Sequence, residues 1–228
     1  MLNDRKKYVC YAEIESVRKK LLNNDSIIEV ADFGAGSTVI KTNKRMISRI
    51  AASSLKPRKF SQLLFRIVQY YKPTTILELG TSFGITTSYL ASGNIHANVY
   101  TLEGASSIAD IAKENFKSLA IKNIHLRQGD FQQELPLAFT ESQQVDLAFV
   151  DGNHRKEPTL DYFTQLLEHS KPSTILIFDD IHWSAQMEEA WSVIQKHNAV
   201  TLTIDLFFIG IVFINPGFKV KQHFTIRF

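Results

Sequence analysis

Acidic and glycine residues that directly follow short apolar runs are the residues best suited to chemistry in this chain. The first run, 75–79, contains Glu78 and leads into a loop with two glycines four residues apart, Gly80-Thr81-Ser82-Phe83-Gly84. Glycine has no Cβ atom, so such a loop lets backbone amides approach a nucleoside cofactor at the end of a parallel strand. Several Rossmann-like families share this type of loop. Its specificity comes from the acidic residues that follow it in order.

Two of these acidic residues end the second and third apolar runs. Glu103 stands at about the distance from the glycine loop at which the acidic residue of this fold class accepts both hydroxyls of a ribose. Asp130, within Gly129-Asp130-Phe131, could accept from an adenine amine while Phe131 packs against the ring. The alternatives are an acid at a helix N-terminus for Glu103, and a turn with a core phenylalanine for the third run.

Three aspartates follow the fourth and fifth apolar runs. Asp151 begins the sequence Asp-Gly-Asn-His after 145–150, and Asp179 and Asp180 follow 173–178. If the two strands are neighbours, their ends lie only about 5 Å apart. The three carboxylates would then repel one another without a cation, a proton or basic side chains, and an all-oxygen site suits Mg²⁺, Mn²⁺ or Ca²⁺. The alternative is that these aspartates only cap turns and helices.

Two histidines flank the aspartates. His154 stands three residues after Asp151, and His182 stands two residues after Asp180. A histidine beside a metal ion could remove the proton from a hydroxyl group of the acceptor. We predict His154 as this base, because a loop residue three beyond the ligand can turn back over the ion. For His182 we predict packing or hydrogen bonding near Trp183.

The hydrophobic pattern predicts the elements that hold these residues. From residue 59 onward, short apolar runs alternate with amphipathic helical patterns, which indicates a parallel sheet covered on both faces. The runs 200–206 and 209–214 are separated by about two residues, too few for a crossover helix, so the last strand should be antiparallel. The other predicted elements are strands 75–79, 97–102, 123–127, 145–150 and 174–178, and helices 84–92, 106–119, 158–169 and 184–196.

The segment 1–58 is predicted to be a helical extension or lid, ahead of a catalytic domain over 59–228. Apolar residues recur at helical spacing within 5–22. A second glycine motif, 31–37, resembles a cofactor loop, but a basic stretch follows it, so we interpret it as a turn or part of a lid. Residues 41–59 contain seven Lys or Arg and no acidic residue. This segment either contacts anions such as RNA phosphates or is a solvated helix face.

The composition excludes several classes of function. A single cysteine, Cys10, rules out an internal disulfide framework and a zinc site with several thiolate ligands. The formal net charge of +3 is too small to indicate a nucleic-acid partner by itself. No apolar run approaches the roughly 20 residues that span a bilayer, and the charged N-terminus is not followed by an apolar signal region. We therefore expect a cytoplasmic protein with no membrane partner.

Taken in order, the motifs resemble those of class I S-adenosylmethionine-dependent methyltransferases, and most of all the cation-dependent O-methyltransferases of the catechol and bacterial small-molecule type. The resemblance covers roughly 59 to 214. It implies an α/β fold, a Rossmann-like doubly wound sheet of seven strands that is mostly parallel with a C-terminal antiparallel hairpin. It also implies that Glu103 holds the cofactor ribose and Asp130 lies near the adenine. By the same resemblance, Mg²⁺ is ligated by Asp151, Asp179 and Asp180.

Three positions depart from the family pattern. Catechol-type enzymes typically have a lysine base where this chain has His154, and commonly asparagine where it has Asp180. Sugar-modifying relatives place an acidic base where this chain has Asn153. The fourth strand end also differs from the Asn/Asp-Pro-Pro-Tyr/Phe motif of enzymes that methylate exocyclic amines, which disfavours a nucleobase as acceptor.

We therefore predict an enzyme that transfers a methyl group from S-adenosylmethionine to a hydroxyl of a small molecule, with a divalent cation, Mg²⁺, as second cofactor. The alternatives are an RNA or protein methyltransferase that docks through 41–59, and a non-catalytic cofactor-binding module. A homodimer is compatible with this prediction. Predicted catalytic residues are His154 and Asp151; predicted cofactor-binding residues are Glu78, Gly80, Thr81, Ser82, Gly84, Glu103, Gly129, Asp130, Phe131 and Asp151.

Overall fold

The computed structural model describes residues 2, 4, 6–30 and 43–228. In this part of the chain the helices are α1 (Val9–Leu22), α2 (Ile47–Ser54), α3 (Arg58–Tyr71), α4 (Ile85–Gly93), α5 (Ser106–Ser118), α6 (Phe131–Ser142), α7 (Lys156–Glu168) and α8 (Ala185–Lys196). The strands are β1 (Ile27–Glu29), β2 (Lys44–Met46), β3 (Thr75–Leu79), β4 (Asn98–Glu103), β5 (Ile124–Gln128), β6 (Val145–Val150), β7 (Ser170–Asp179), β8 (Leu202–Asp205), β9 (Ile209–Phe213) and β10 (Gln222–Thr225). The second glycine motif, 31–37, and Lys41 lie outside the described residues.

Eight of the described strands belong to one mostly parallel sheet with an antiparallel hairpin near the C-terminus, while β1 and β2 pair separately. The predicted Rossmann-like fold is confirmed, with one strand more than the seven expected. The additional strand is β10, which pairs in parallel with β8. From Phe218 to Arg227 apolar and basic residues alternate over most positions, which is the period of a strand.

The chain divides into two compact units, and the unit formed by 75–79 and 139–228 contains six strands in the order β10-β8-β9-β7-β6-β3. Strands β3, β6 and β7 are parallel, and β9 is antiparallel to both β7 and β8. The register pairs Leu79 with Val150 and Val150 with Phe178, so these three strands end level with one another. Because β8 runs in the same direction as β7, its last residue, Asp205, lies at the same edge of the sheet.

The unit formed by 1–74 and 80–138 has a core of helices around α1 and α4. The ring of Tyr11 lies 5.0 Å from that of Phe65 and 5.4 Å from that of Tyr89, so aromatic side chains join three helices. Strands β4 and β5 are parallel, and Glu103 pairs with Gln128 at their carboxyl ends. This register brings the residues that follow the two strands together at one edge.

The structure also differs from the predicted elements in the segments of α6 and β2. Helix α6 was not predicted, because Pro136 stands inside it and interrupts the pattern expected of a helix interior. The basic stretch that was predicted to be helical begins with the short strand β2, and the helix α2 follows from Ile47. Among the described residues, no helix combines the length and the apolar character that a membrane crossing requires.

Candidate active site

Backbone hydrogen bonds hold the glycine loop that follows β3 against the end of β4. The amides of Gly80 and Thr81 both donate to the carbonyl of Leu102, at 3.0 Å each. Gly80 has a φ of 102°, which glycine adopts without steric strain, and Ser82 has a positive φ of 48°. The loop therefore turns sharply at its first glycine, in a conformation that its own backbone stabilises.

Packing against α5 requires glycine at the second position of the motif. Gly84 precedes α4 with a φ of 77°, and a Cβ atom at this position would lie 2.3 Å from the Phe116 ring. Asn115, the neighbouring residue of α5, donates its side-chain amide to the carbonyl of Phe83 at 2.9 Å. Helix α5 thus supports the loop, and Gly84 permits their close contact.

Glu103 connects the glycine loop to the end of β4. One carboxylate oxygen, Oε2, accepts the amide of Ser82 at 2.8 Å, and the other accepts the amide of Ala105 at 2.9 Å. Burial raises the pKa of Glu103, and the hydrogen bonds from backbone amides oppose this rise. A carboxylate has about four lone-pair positions, and the amides of Ser82, Gly104 and Ala105 donate to this one, so capacity remains for a further donor such as a ribose hydroxyl.

The turn after β5 is joined to Glu103 through the backbone, since the amide of Gly129 donates to the Glu103 carbonyl at 3.0 Å. Asp130 precedes α6, and its Oδ1 accepts the amide of Gln132 at 2.9 Å. Asp130 thus makes the turn-stabilising contact that was the alternative interpretation of this motif. Phe131 is half-buried. Contact of Asp130 and Phe131 with an adenine stays a prediction.

Three further predicted cofactor residues, Glu78, Thr81 and Ser82, lie in or just after β3. Glu78 is fully buried in β3. The hydroxyls of Thr81 and Thr101 lie 2.6 Å apart, and those of Ser82 and Ser54 lie 2.9 Å apart. Contact of these residues with a cofactor also stays a prediction.

In the other unit, the ends of β6 and β7 bring acidic side chains and a histidine together. Asp151, His154 and Asp179 each offer one ligand atom, and these three atoms lie within 4.8 Å of one another. His154 Nε2 lies 3.6 Å from Asp151 Oδ1 and 4.0 Å from Asp180 Oδ2. Asp179 is 1% exposed. We refer to Asp151, His154 and Asp179 as the convergent group. It contains two of the three predicted metal ligands together with the predicted base, and Asp180 lies next to that base.

Two sharp turns, at Asn153 and Asp180, orient these side chains. The amide of Asp151 donates to the Leu79 carbonyl at 2.8 Å, which holds the end of β6 beside β3. Asn153 has a φ of 60° and donates its side-chain amide to the Tyr162 hydroxyl at 3.2 Å. Asp180 has a φ of 50°. Left-handed residues reverse the chain direction within a few positions, so His154 returns toward Asp151.

Comparison with known proteins identifies the family. A family model described as a methyltransferase domain matches residues 77–181, which include the glycine loop, Glu103 and the three aspartates. A catechol O-methyltransferase of Niastella koreensis is 30% identical over 160 residues, which cover 68% of this chain and 70% of the relative. The chain belongs to the class I S-adenosylmethionine-dependent O-methyltransferases. The family and the type of enzyme predicted from the sequence are thereby confirmed.

Solved structures agree with this O-methyltransferase in fold. An O-methyltransferase of Bacillus cereus, solved in complex with SAH, has a TM-score of 0.65 and 21% identity, with 92% of each chain covered. An O-methyltransferase of Streptomyces achromogenes, solved with SAM and involved in tomaymycin synthesis, has a TM-score of 0.65 and 15% identity, covering 92% of this chain and 91% of that one.

The O-methyltransferase has a small cavity that sequence reasoning did not find. It has a volume of about 120 Å³ and is lined by Asp180, His182, Trp183, Phe207 and Phe208. The last two residues form the tip of the β8–β9 hairpin, and Phe207 is 63% exposed. Two adjacent phenylalanines in a hairpin tip, where polar residues are usual, were the available signal.

His182 forms hydrogen bonds with carboxylates that do not belong to the convergent group. Its Nδ1 lies 3.2 Å from Glu188 Oε1, and its Nε2 lies 2.8 Å from Asp205 Oδ2. Because carboxylates only accept hydrogen bonds, both contacts are satisfied when both ring nitrogens carry a proton, which is the positively charged form of the ring. Burial opposes this charge, but Asp205 and Glu188 raise the pKa of His182 above its ordinary value.

Proposed function

We propose that this O-methyltransferase methylates a hydroxyl group of a small molecule with the assistance of a divalent cation such as Mg²⁺. The observation that carries this proposal is the convergence of Asp151, His154 and Asp179 within 4.8 Å, at the ends of two neighbouring parallel strands. The catechol O-methyltransferase of Niastella koreensis supports an acceptor of this chemical class.

The donor set fits a hard cation. Two carboxylates supply oxygen ligands, and Asp179 is too buried for water alone to compensate the repulsion between its charge and that of Asp151. A bound cation would lower the pKa of the acceptor hydroxyl and hold its oxygen. Asp180 is the third proposed ligand, because it directly follows Asp179 and lies beside the same histidine.

Methyl transfer breaks the bond between sulfur and the methyl carbon and forms a bond between that carbon and the acceptor oxygen. The hydroxyl proton must then leave, and we assign it to His154 Nε2. Glu103 would accept the ribose hydroxyls with its remaining lone pairs, while the Gly80–Gly84 loop and the Asp130 turn would contact the rest of the cofactor.

Turnover of a panel of hydroxylated small molecules tests the proposal, with catechol first. Asp179→Asn should abolish turnover that depends on Mg²⁺ while S-adenosylmethionine still binds, as calorimetry would measure. Asp161→Asn is the matched control, since Asp161 is an exposed aspartate of α7. Turnover that survives both EDTA and Asp179→Asn would refute the role of the cation.

Docking of RNA through 41–59 receives less support. Lys56 is only 7% exposed and cannot present its charge to a phosphate backbone without moving, whereas Arg58 and Lys59 are exposed. RNA binding that weakens with salt, together with methylation of that RNA, would favour this alternative instead.

A further inference from the structure

A histidine and two carboxylates hold the tip of the β8–β9 hairpin, and the proposed chemistry uses none of the three. His182 Nε2 donates to Asp205 Oδ2 at 2.8 Å, and Nδ1 donates to Glu188 Oε1 at 3.2 Å. The other oxygen of Asp205 accepts the amide of Phe207 at 2.8 Å. One carboxylate thus joins the imidazole ring to the backbone of the tip. We refer to His182, Asp205 and Glu188 as the histidine clamp.

The conformation of the tip depends on such support. Phe207 has a φ of 72°, in the left-handed region that bulky residues rarely adopt. Its ring is stacked on the ring of His182, with centroids 5.4 Å apart and an interplanar angle of 25°. The clamp therefore fixes Phe207 through its backbone and its ring, although most of this side chain faces solvent.

The same tip is tied to the aspartate beside the convergent group. The amide of Asp180 donates to the carbonyl of Phe208 at 2.6 Å, and the amide of Trp183 donates to the carbonyl of Asp180 at 2.9 Å. The lining of the 120 Å³ cavity consists of four flat rings and this one carboxylate. A displacement of the tip would therefore change the shape of the cavity next to Asp180.

The size of the cavity limits what can enter it. An apolar cavity of roughly 150 Å³ holds one benzene ring. A cavity of about 120 Å³ with an open mouth is of a size to accommodate one ring of an acceptor, and further groups of the acceptor can extend through the mouth. The position of Phe207 then determines how that ring lies relative to Asp180.

We propose that His182 is a positioning residue for the acceptor: through Asp205 it holds Phe207 and Phe208 in the conformation that orients an acceptor ring beside Asp180. This inference rests on the proposed function. The clamp contacts neither the transferred methyl group nor the proton of the reacting hydroxyl. Its loss should therefore affect binding and orientation of the acceptor more than the chemical step.

The ratio of two products from one substrate measures this orientation. 3,4-Dihydroxybenzoate has two neighbouring hydroxyls, so the ratio of its two monomethyl products reports how the ring lies. His182→Ala should raise the KM for this substrate by roughly tenfold, which corresponds to about 1.4 kcal/mol of acceptor binding lost when the tip no longer holds its conformation. It should move the product ratio toward one and leave the Kd of S-adenosylmethionine unchanged. His197→Ala, which removes an exposed histidine just after α8, is the matched control.

Two further variants keep the test decisive if His182→Ala does not fold. In Asp205→Asn, the side-chain oxygen can still accept the amide of Phe207, but the amide group cannot accept from His182. This variant should shift the product ratio in the same direction. In His182→Gln, the side-chain amide can donate to Asp205, so part of the wild-type ratio should return. An unchanged KM and product ratio in folded His182→Ala, or a loss confined to kcat, would overturn the proposal.

A binding measurement separates this inference from the proposed function. If the wild-type protein methylates no hydroxyl acceptor, the proposed function fails, but the clamp can still be tested by catechol quenching of Trp183 fluorescence. Trp191 is buried, so its fluorescence should stay constant when catechol is added. The variant Trp183→Phe measures this constant contribution. His182→Ala should then weaken catechol binding by roughly tenfold. Equal affinity in wild type and His182→Ala would refute the clamp's role.

Discussion

Two regions of the molecule lie at strand ends but are stabilised by different interactions. One is the glycine loop with Glu103, and the other is the convergent group after β6 and β7. Backbone amides of the loop are bonded to Leu102 and Glu103, and α5 supports the loop through Phe116. The convergent group instead brings two carboxylates close together beside His154. The first region is stabilised by its own hydrogen bonds and packing, whereas the second is the region in which we propose that a cation binds.

This difference predicts which substitutions matter in each region. Where backbone hydrogen bonds and close packing stabilise a region, a single added carbon atom is disruptive. Where converging charges define it, a substitution of equal size that removes charge changes ion binding and reactivity without disturbing the fold.

The largest expected effect concerns His154 in the charged region. If it accepts the hydroxyl proton, His154→Ala should lower kcat by about 10²–10⁴-fold while the Kd of S-adenosylmethionine stays the same. Steady-state kinetics and calorimetry measure the two quantities. If His154 is instead a metal ligand, the variant should need more Mg²⁺ for half-maximal activity and recover its rate at high Mg²⁺, which would remove the assignment as base.

A large loss of stability is expected from Gly84→Ala in the backbone-stabilised region. The added Cβ would contact Phe116 in a left-handed conformation, and strain and overpacking together should lower the free energy of unfolding by about 3 kcal/mol. Urea denaturation measures the change. In a Phe116→Leu background the cost should fall by about half, because only the conformational strain remains. An equal cost in both backgrounds would show that Phe116 is not the reason for glycine here.

Magnesium should stabilise the wild-type protein through the charged region. At a concentration of 100 times its Kd, Mg²⁺ should add about 2.7 kcal/mol to the free energy of unfolding, since it binds the folded state. Asp151→Asn and Asp179→Asn should each lose most of this increment, whereas Asp161→Asn should retain it. Thermal or chemical denaturation with and without Mg²⁺ gives the comparison. A wild-type protein whose stability is indifferent to Mg²⁺ and Mn²⁺ would contradict a cation at this group.

The smallest expected effect is the pH dependence that Glu103 contributes. Its pKa in the folded state is raised above the ordinary value of 4.5 by burial. The folded state therefore binds this proton more tightly than the unfolded state, so the stabilisation is present below pH 4.5 and is lost as pH rises through the folded-state pKa. Relative to Glu103→Gln, the wild type should lose stability as the pH rises above 4.5. A constant difference between the two proteins over this range would contradict the raised pKa.

The alternation of strands and helices was predictable because it depends on local hydrophobic period, and so were the acids at the ends of parallel strands. Helix α6 was missed because Pro136 interrupts its pattern. Strand β10 was missed, although apolar and basic residues alternate around it, because its four residues include one large apolar side chain, Phe224. The aspartates of the predicted metal site were found because each stands immediately after an apolar run. Asp205 was not found, since nothing near it in the sequence indicates its partner His182, 23 residues away.

The sequence by itself determined the family, the glycine loop and the acids at the strand ends, because these depend on residue type and spacing along one stretch of chain. The tertiary structure decided which of those acids meet. It placed His154 with Asp151 and Asp179, bonded His182 to Asp205 and Glu188, and packed Phe116 against Gly84. Such pairings depend on strand order, register and the left-handed turns at Asn153 and Asp180, and these are set by packing between residues far apart in the chain.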